Sequence, residues 1–280
     1  MPEKPEVITV AKKLETKLLN EKIVGVDVIY KRIIEFPSVE EFTKRIVGQT
    51  IYSITTRGKW IVFKLDTDYL LAHLRMEGKF FFRKAGDAVN KHEHAIFKLD
   101  NGEEFRFADV RKFGRLLLIK KEDLYTSKPY NELGLEPWDK LLTIDYLKDK
   151  LKNKRLPMKT LLLDQTIIAG IGNIYADEIL FLSGINPNAR PVDLKDKDLN
   201  NIIINTIKVL DKAVIEGGTT IRSYTSEEGV TGLFQNSLNV HAKKDEACPV
   251  CKTSIIKIRV GGRGTYYCPK CQKDNVCMGE

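Results

Sequence analysis

Apolar residues at Val7, Val10, Ala11, Leu14 and Leu18 follow the spacing of one helical face, with Lys12, Lys13, Glu15 and Lys17 opposite. The spacing predicts a helix from about Pro5 to Asn20. From Ile23 to about Lys120 the period shortens to that of strands: IVGVDVIY, TIYSITTRGKWIVFKL, YLLAHLRMEGKFFFR, HAIFKLDNGEEFRFADV and RLLLIK are apolar or alternating runs. Turn chemistry at Asp66 to Asp68, at Gly86 to Asn90 and at Asn101-Gly102, a strong hairpin signal, separates them. An antiparallel sandwich or barrel behind a leading helix is expected. From Thr143 the pattern becomes helical, most clearly at Leu199, Ile202, Ile203, Thr206, Val209, Leu210, Ala213 and Val214, and it stops at Gly217-Gly218. The stretch NELGLEPWDK, with Gly134 and Pro137, marks a boundary near residue 135.

At 280 residues the chain can bury two modest cores more readily than a single large one. No apolar run approaches the ~20 residues of a membrane span, and the start lacks the basic-then-apolar order of a signal peptide. A cytoplasmic, non-secreted protein without a membrane partner is expected. Lys+Arg 46 against Asp+Glu 38 gives +8, a weak pointer to a polyanionic partner. The excess is uneven: residues 241–280 carry eight Lys or Arg and four acids, so 8 − 4 = +4 sits at the C-terminal end.

That end also holds four of the five cysteines, as CPVC at Cys248 and Cys251 and CPKC at Cys268 and Cys271. Two redox or disulfide pairs are one reading. Paired CxxC in an intracellular chain points instead to four thiolates round one closed, structural Zn²⁺. Between the pairs, IIKIRVGGRGTYY predicts a two-stranded ribbon with Arg259 and Arg263 at its tip, suited to phosphate or a DNA groove. Cys277 is left over, and His241 reads as a surface residue.

The N-terminus MPEKPEV has two readings. Proline and acids suit a first helical turn. Removal of Met1 would also leave Pro2 with a free amine, a nucleophile partly unprotonated at neutral pH. Elsewhere, RGKW sets Lys59 in a turn, HLRMEGK sets Arg75 and Met76 in another, and DVRKFG sets Arg111, Lys112 and Phe113 before a glycine. Singly these are a solvated charge, core residues and a salt-bridge partner. Together they offer an apolar wedge beside cations, the equipment for unstacking and bending a duplex.

The motifs PEKPEV, RGK, HLRMEG, KHEH, DVRKFG, PMKTLLLDQTIIAGIGNIYADE and CPVC with GGRGTYYCPKCQ, in this order through the whole chain, resemble the formamidopyrimidine-DNA glycosylase and endonuclease VIII family. The resemblance implies an α+β multidomain protein: an N-terminal β-sandwich catalytic domain with a leading helix over 1–135, a helical DNA-binding domain with a helix-two-turns-helix element over 136–240, and a zinc ribbon over 241–280. It implies that Pro2 attacks C1′ of a damaged nucleotide and forms a Schiff base, that Glu3 is general acid or proton shuttle, and that Lys59 serves phosphate binding and proton transfer. Met76 would fill the vacated space, Arg111 and Phe113 would contact the orphaned base, and Lys159, Asn173 and Arg263 would bind phosphates. The expected partner is damaged double-stranded DNA, bound by a monomer at the nucleoid, with zinc and no organic cofactor. DVRKFG and PEV favour oxidised purines such as 8-oxoguanine and formamidopyrimidines. Alternatives are an endonuclease VIII-like preference for oxidised pyrimidines, or a non-catalytic DNA-binding zinc protein. Two departures stand out: Lys4 matches neither subfamily, and SEEGVTGLFQ, 226–235, lacks the basic, Tyr-containing sequence usual in the loop that covers oxidised purines.

Overall fold

The computed structural model describes residues 2–219 and 232–273, so most of the 226–235 loop and Cys277 lie outside the described residues. The chain forms two compact units, Met1–Asn131 with Gly217–Gly232, and Glu132–Glu216 with Leu233–Glu280.

The first unit opens with α1 (Lys4–Leu18), whose N-cap is Glu3. Glu3 and Glu6 form a capping box, and Pro5 sits in the first turn where a missing N–H is harmless. The helix ends two residues before the expected Asn20, because Leu19 is extended and Asn20 takes a left-handed φ of 68°. Val7, Val10, Leu14 and Leu18 are buried, each contributing roughly 1.5–3 kcal/mol of apolar transfer.

β1 (Ile23–Val28), β2 (Ile34–Phe36), α2 (Val39–Ile46), β3 (Ser53–Arg57), β4 (Trp60–Lys64), β5 (Asp68–His73), β6 (Lys79–Lys84), β7 (Glu93–Leu99), β8 (Glu103–Ala108) and β9 (Arg115–Lys120) follow. They make two sheets, β1-β7-β8-β6 and β2-β9-β5-β4-β3, so the sandwich holds and the barrel does not. Their shared core includes Phe63 stacked on Phe105 and Phe105 on Phe97, with α1 and the α2 residues Phe42 and Ile46. The strand reading of 23–120 passed over α2. Its start is a recognisable cap, Ser38 Oγ accepting the Glu41 N–H at 3.2 Å.

The second unit contains α3 (Ile144–Leu151), α4 (Met158–Leu162), α5 (Asn173–Ser183) and α6 (Asp196–Ile215), then the ribbon strands β10 (Ile256–Val260) and β11 (Arg263–Tyr267). α5 is buried along most of its length, including the carboxylates Asp177 and Glu178. Apolar α6 positions, from Leu199 to Ala213, pack with it. Phe181 of α5 also joins a small core with Val240, Ile255, Cys248 and Cys268, seating the ribbon on the helix.

Candidate active site and nucleic-acid interface

In the first unit the strand register sets a row of residues at one end of the five-stranded sheet. Arg57 pairs with Trp60, Trp60 with His73, and His73 with Arg115. The turns that leave this end carry Lys59, then Arg75 and Met76, then Arg111 and Phe113. Two of these turns share a support: a Cβ at Gly78 or at Gly114 would lie 2.9 or 2.5 Å from the Phe107 ring, so both glycines let backbone close on that ring.

The N-terminus is tied to the same end. Lys4, buried, donates to Thr56 Oγ1 at 2.9 Å, and Thr56 lies three residues before Lys59. Pro2 and Glu3 are buried beside it. The Glu6 carboxylate accepts the Glu3 N–H at 2.8 Å on Oε2 and the Thr219 N–H at 2.8 Å on Oε1. Gly218, with φ +81°, comes so close that a Cβ there would sit 2.6 Å from Glu6 Oε1. The structural and chemical readings of MPEKPEV are therefore compatible: a capping box immobilises the residues flanking the amine.

Burial, reinforced by the charges of Arg75, Lys59 and Arg115, lowers His73 to about 3, so its ring is neutral near pH 7. Its Nδ1 accepts the Arg75 N–H at 2.9 Å, and its ring meets Trp60 edge-on at 4.8 Å. Lys59 is itself buried, 6% exposed. This sheet end thus combines a cationic field with little water, conditions that strengthen attraction for an anion.

Arg111 and Phe113 are presented by a loop with one organiser. The buried Asp109 carboxylate accepts the N–H groups of Arg111, Phe113 and Gly114 at 2.9, 2.8 and 2.7 Å. Because backbone satisfies the carboxylate, the cations stay outside: Arg111 is exposed and its guanidinium lies over the Phe113 ring at 4.9 Å. Phe113 is 47% exposed, and Met76 is half-buried. Asp109 is a residue that sequence reasoning missed. An aspartate two, four and five residues ahead of the N–H groups it takes is a legible turn signal.

In the second unit the phosphate candidates separate. Asn173 is the first residue of α5, Gly172 being the N-cap, and its side chain does not cap. It donates Nδ2 to the Gly264 carbonyl of the ribbon at 3.1 Å, and its Oδ1 is buried without a hydrogen-bond partner. Nδ2 keeps a second hydrogen beside a helix start, where N–H groups and the dipole favour an anion. Arg263 is exposed where β11 leaves the Gly261-Gly262 tip, and a Cβ at Gly261 would lie 2.4 Å from Thr160 Oγ1. Asn173 and the ribbon tip thus assemble on one surface.

Lys159 does not join them. Its ammonium is fully buried, 2.5 Å from Asp177 Oδ1 and 2.9 Å from the Asn173 carbonyl. The Asp177 carboxylate and the Asn173 carbonyl engage this ammonium, so in this structure Lys159 stands in a buried ion pair and not at the surface with Arg263. The expectation for His241 is corrected. It is half-buried and donates Nδ1 to Asp177 Oδ2 at 2.7 Å, neither a surface residue nor a metal ligand. Glu178 beside it accepts the N–H groups of Asn239, Val240 and His241 at 2.8–2.9 Å, anchoring the strap that leads into the ribbon.

The Sγ atoms of Cys248, Cys251, Cys268 and Cys271 all lie within 4.8 Å of one another. Ligands at about 2.3 Å round tetrahedral zinc are separated by about 3.8 Å, which this cluster fits. Burial raises the thiols of Cys268 and Cys271, and a hydrogen bond from Thr253 lowers Cys251 to about 6.

Three family models match in sequence: the formamidopyrimidine-DNA glycosylase N-terminal domain over residues 1–116, the H2TH domain of that enzyme over 133–225, and the zinc finger found in FPG and IleRS over 245–273. The chain belongs to the formamidopyrimidine-DNA glycosylase family. The formamidopyrimidine-DNA glycosylases of Oceanobacillus iheyensis and Bacillus licheniformis are 43% and 44% identical to it, over 97% and 98% of this chain and 98% and 100% of theirs. Among solved structures, a Lactococcus lactis FPG mutant in complex with a Fapy-dG containing DNA superposes with a TM-score of 0.91 at 36% identity, covering 98% of this chain and 100% of that one. The Lactococcus lactis Fpg in complex with an abasic site containing DNA gives 0.90 at 36% identity, over 97% and 100%. The chain is thus a DNA glycosylase and lyase of the class that acts on oxidised purines, with four of its five cysteines forming the site for one structural zinc. No helix among the described residues is long and apolar enough to cross a membrane.

Proposed function

We propose that this glycosylase excises oxidised purines from duplex DNA with Pro2 as nucleophile. The supporting observation is the single sheet end to which Lys4, through Thr56, ties the N-terminus and from which the Lys59, Met76 and Phe113 turns project. The free amine of Pro2 forms a bond to C1′ as the glycosidic bond breaks, and the base departs with the bonding electrons and the proton that the amine nitrogen sheds on bonding to carbon. Glu3 supplies the proton that opens the sugar, leaving a cationic iminium between Pro2 and C1′. That cation accepts the electrons released when the 2′ proton leaves, so the 3′ phosphate is expelled and the strand breaks. Lys59 binds phosphate and moves protons at this site.

Base flipping costs a few kcal/mol. Met76 in the vacated space, with Arg111 and Phe113 against the orphaned base, offsets it. Asn173 and Arg263 hold backbone phosphates. The stretches 1–135, 136–240 and 241–280 divide the labour into chemistry, duplex binding and a zinc-braced clamp. The protein works as a monomer at the nucleoid.

Borohydride trapping on a duplex with one 8-oxoguanine opposite cytosine, after verified Met1 removal, tests this reading. A covalent adduct mapped to Pro2 is expected, and Pro2→Gly should largely lose excision while retaining duplex binding. An adduct at a lysine instead, or wild-type activity in Pro2→Gly, refutes proline's role.

A further inference from the structure

A pocket of about 630 Å³ opens in the second unit beside the end of α3 and the segment leading into α6. Its walls carry Lys148, Lys152, Lys154, Arg155 and Arg190. Lys148 is neutralised by Asp196 at 2.7 Å. Among the described residues, the other four cations have no carboxylate within ion-pair distance. Concentrated on a concave wall, such charges raise the local concentration of an anion.

The lining is not uniformly basic. Leu151 and Leu199, both 5% exposed, form its apolar floor, and Val192 stands at its edge, 86% exposed. A duplex backbone satisfies cations and presents no apolar group to fill a floor. An acidic peptide with one large apolar side chain satisfies both parts. Its carboxylates meet the lysines and arginines, and its anchor displaces water from leucine and valine surface, the usual anatomy of a small docking hot spot.

We propose that this pocket docks an acidic segment of a partner protein, with one aromatic or large aliphatic side chain seated against Leu151 and Leu199. Its lining shares no residue with those assigned above to chemistry, phosphate or zinc. It would bring the glycosylase to a partner without occupying its DNA-binding groups.

Fluorescence anisotropy with the full chain and a labelled synthetic peptide rich in Asp and Glu and ending in Phe provides the test. Saturable, salt-sensitive binding is expected. Affinity should fall about tenfold or more when the peptide's Phe becomes Ala or its acids become amides. The same loss is expected in the double variant Lys152→Glu, Arg155→Glu, with lesion excision unchanged. Val192→Asp, at a position too exposed to disturb folding, should weaken the peptide independently. Absence of saturable binding, or indifference to the Phe-to-Ala change, overturns the proposal. A double variant that keeps the peptide but loses duplex affinity assigns the pocket to the DNA backbone instead.

Discussion

The Asp109 turn and the start of α5 solve one problem in opposite ways. Each has a buried carboxylate beside residues rich in cations. Asp109 takes backbone N–H groups, so Arg111 remains exposed to meet a ligand. Asp177 takes the side chains of Lys159 and His241, so neither is available. A cation in a motif is therefore a ligand group only if the neighbouring carboxylate finds its donors elsewhere. In the second unit the groups proposed to hold phosphate are then the Asn173 amide and Arg263, the first bonded to the ribbon and the second part of it.

The contrast is broken most severely by removing the metal. Binding of structural zinc is folding free energy, with apparent values of roughly 10–16 kcal/mol in zinc-finger peptides. Chelation, or Cys248→Ser, should unfold the ribbon, release Asn173 from Gly264 and sharply weaken duplex binding, as read by circular dichroism and a DNA titration. Full affinity after verified metal loss would remove the ribbon from the interface.

Lys159→Met comes next. It leaves Asp177 with one partner fewer and should cost about 3–5 kcal/mol of stability in denaturant unfolding. The salt dependence of duplex affinity should keep its slope. A slope reduced by about one, with stability intact, would instead restore Lys159 as a phosphate ligand.

Asp109→Ala strips three N–H groups of their acceptor and should cost about 1–3 kcal/mol, together with a fall in excision. Phe113→Ala should lower excision at a stability change within about 0.5 kcal/mol, because the ring is half exposed. Equal stability losses in the two variants would show that the ring holds the turn as much as the carboxylate does.

The remaining effect concerns pH. The folded His73 titrates near 3 and the unfolded side chain near 6.5, so below pH 6.5 the unfolded state takes up a proton that the folded state refuses. Stability falls as pH drops from about 6.5 toward 3. His73→Gln should flatten that decline in thermal melts, and an unchanged slope would place the sensitivity on other groups.

Much of this was legible in the sequence, and the limits have physical causes. Eight of the nine strands of the first unit, and α6, declare themselves by period, while β2, Ile34–Phe36, is too short to show one. α2 hid inside a stretch read as strand because its eight residues give scarcely two turns of pattern, although Ser38 and Glu41 mark its cap. The zinc set needed only spacing. The burial of Lys159 was not legible because its partner Asp177 lies 18 residues away, and no local pattern states which lysine turns inward. His241 failed for the same reason, at a separation of 64 residues. Asp109 was readable and went unread.

Thr219 returns after α6 to donate to Glu6. The chain thus visits its first unit twice, at the beginning and again near residue 218. Three family models follow one another along the sequence, yet a gene fragment cut near residue 135 would encode an N-terminal part whose Glu6 lacks one of its donors. The architecture is serial as text and interleaved as an object, so swapping this N-terminal part between relatives calls for carrying Gly218 and Thr219 along with it.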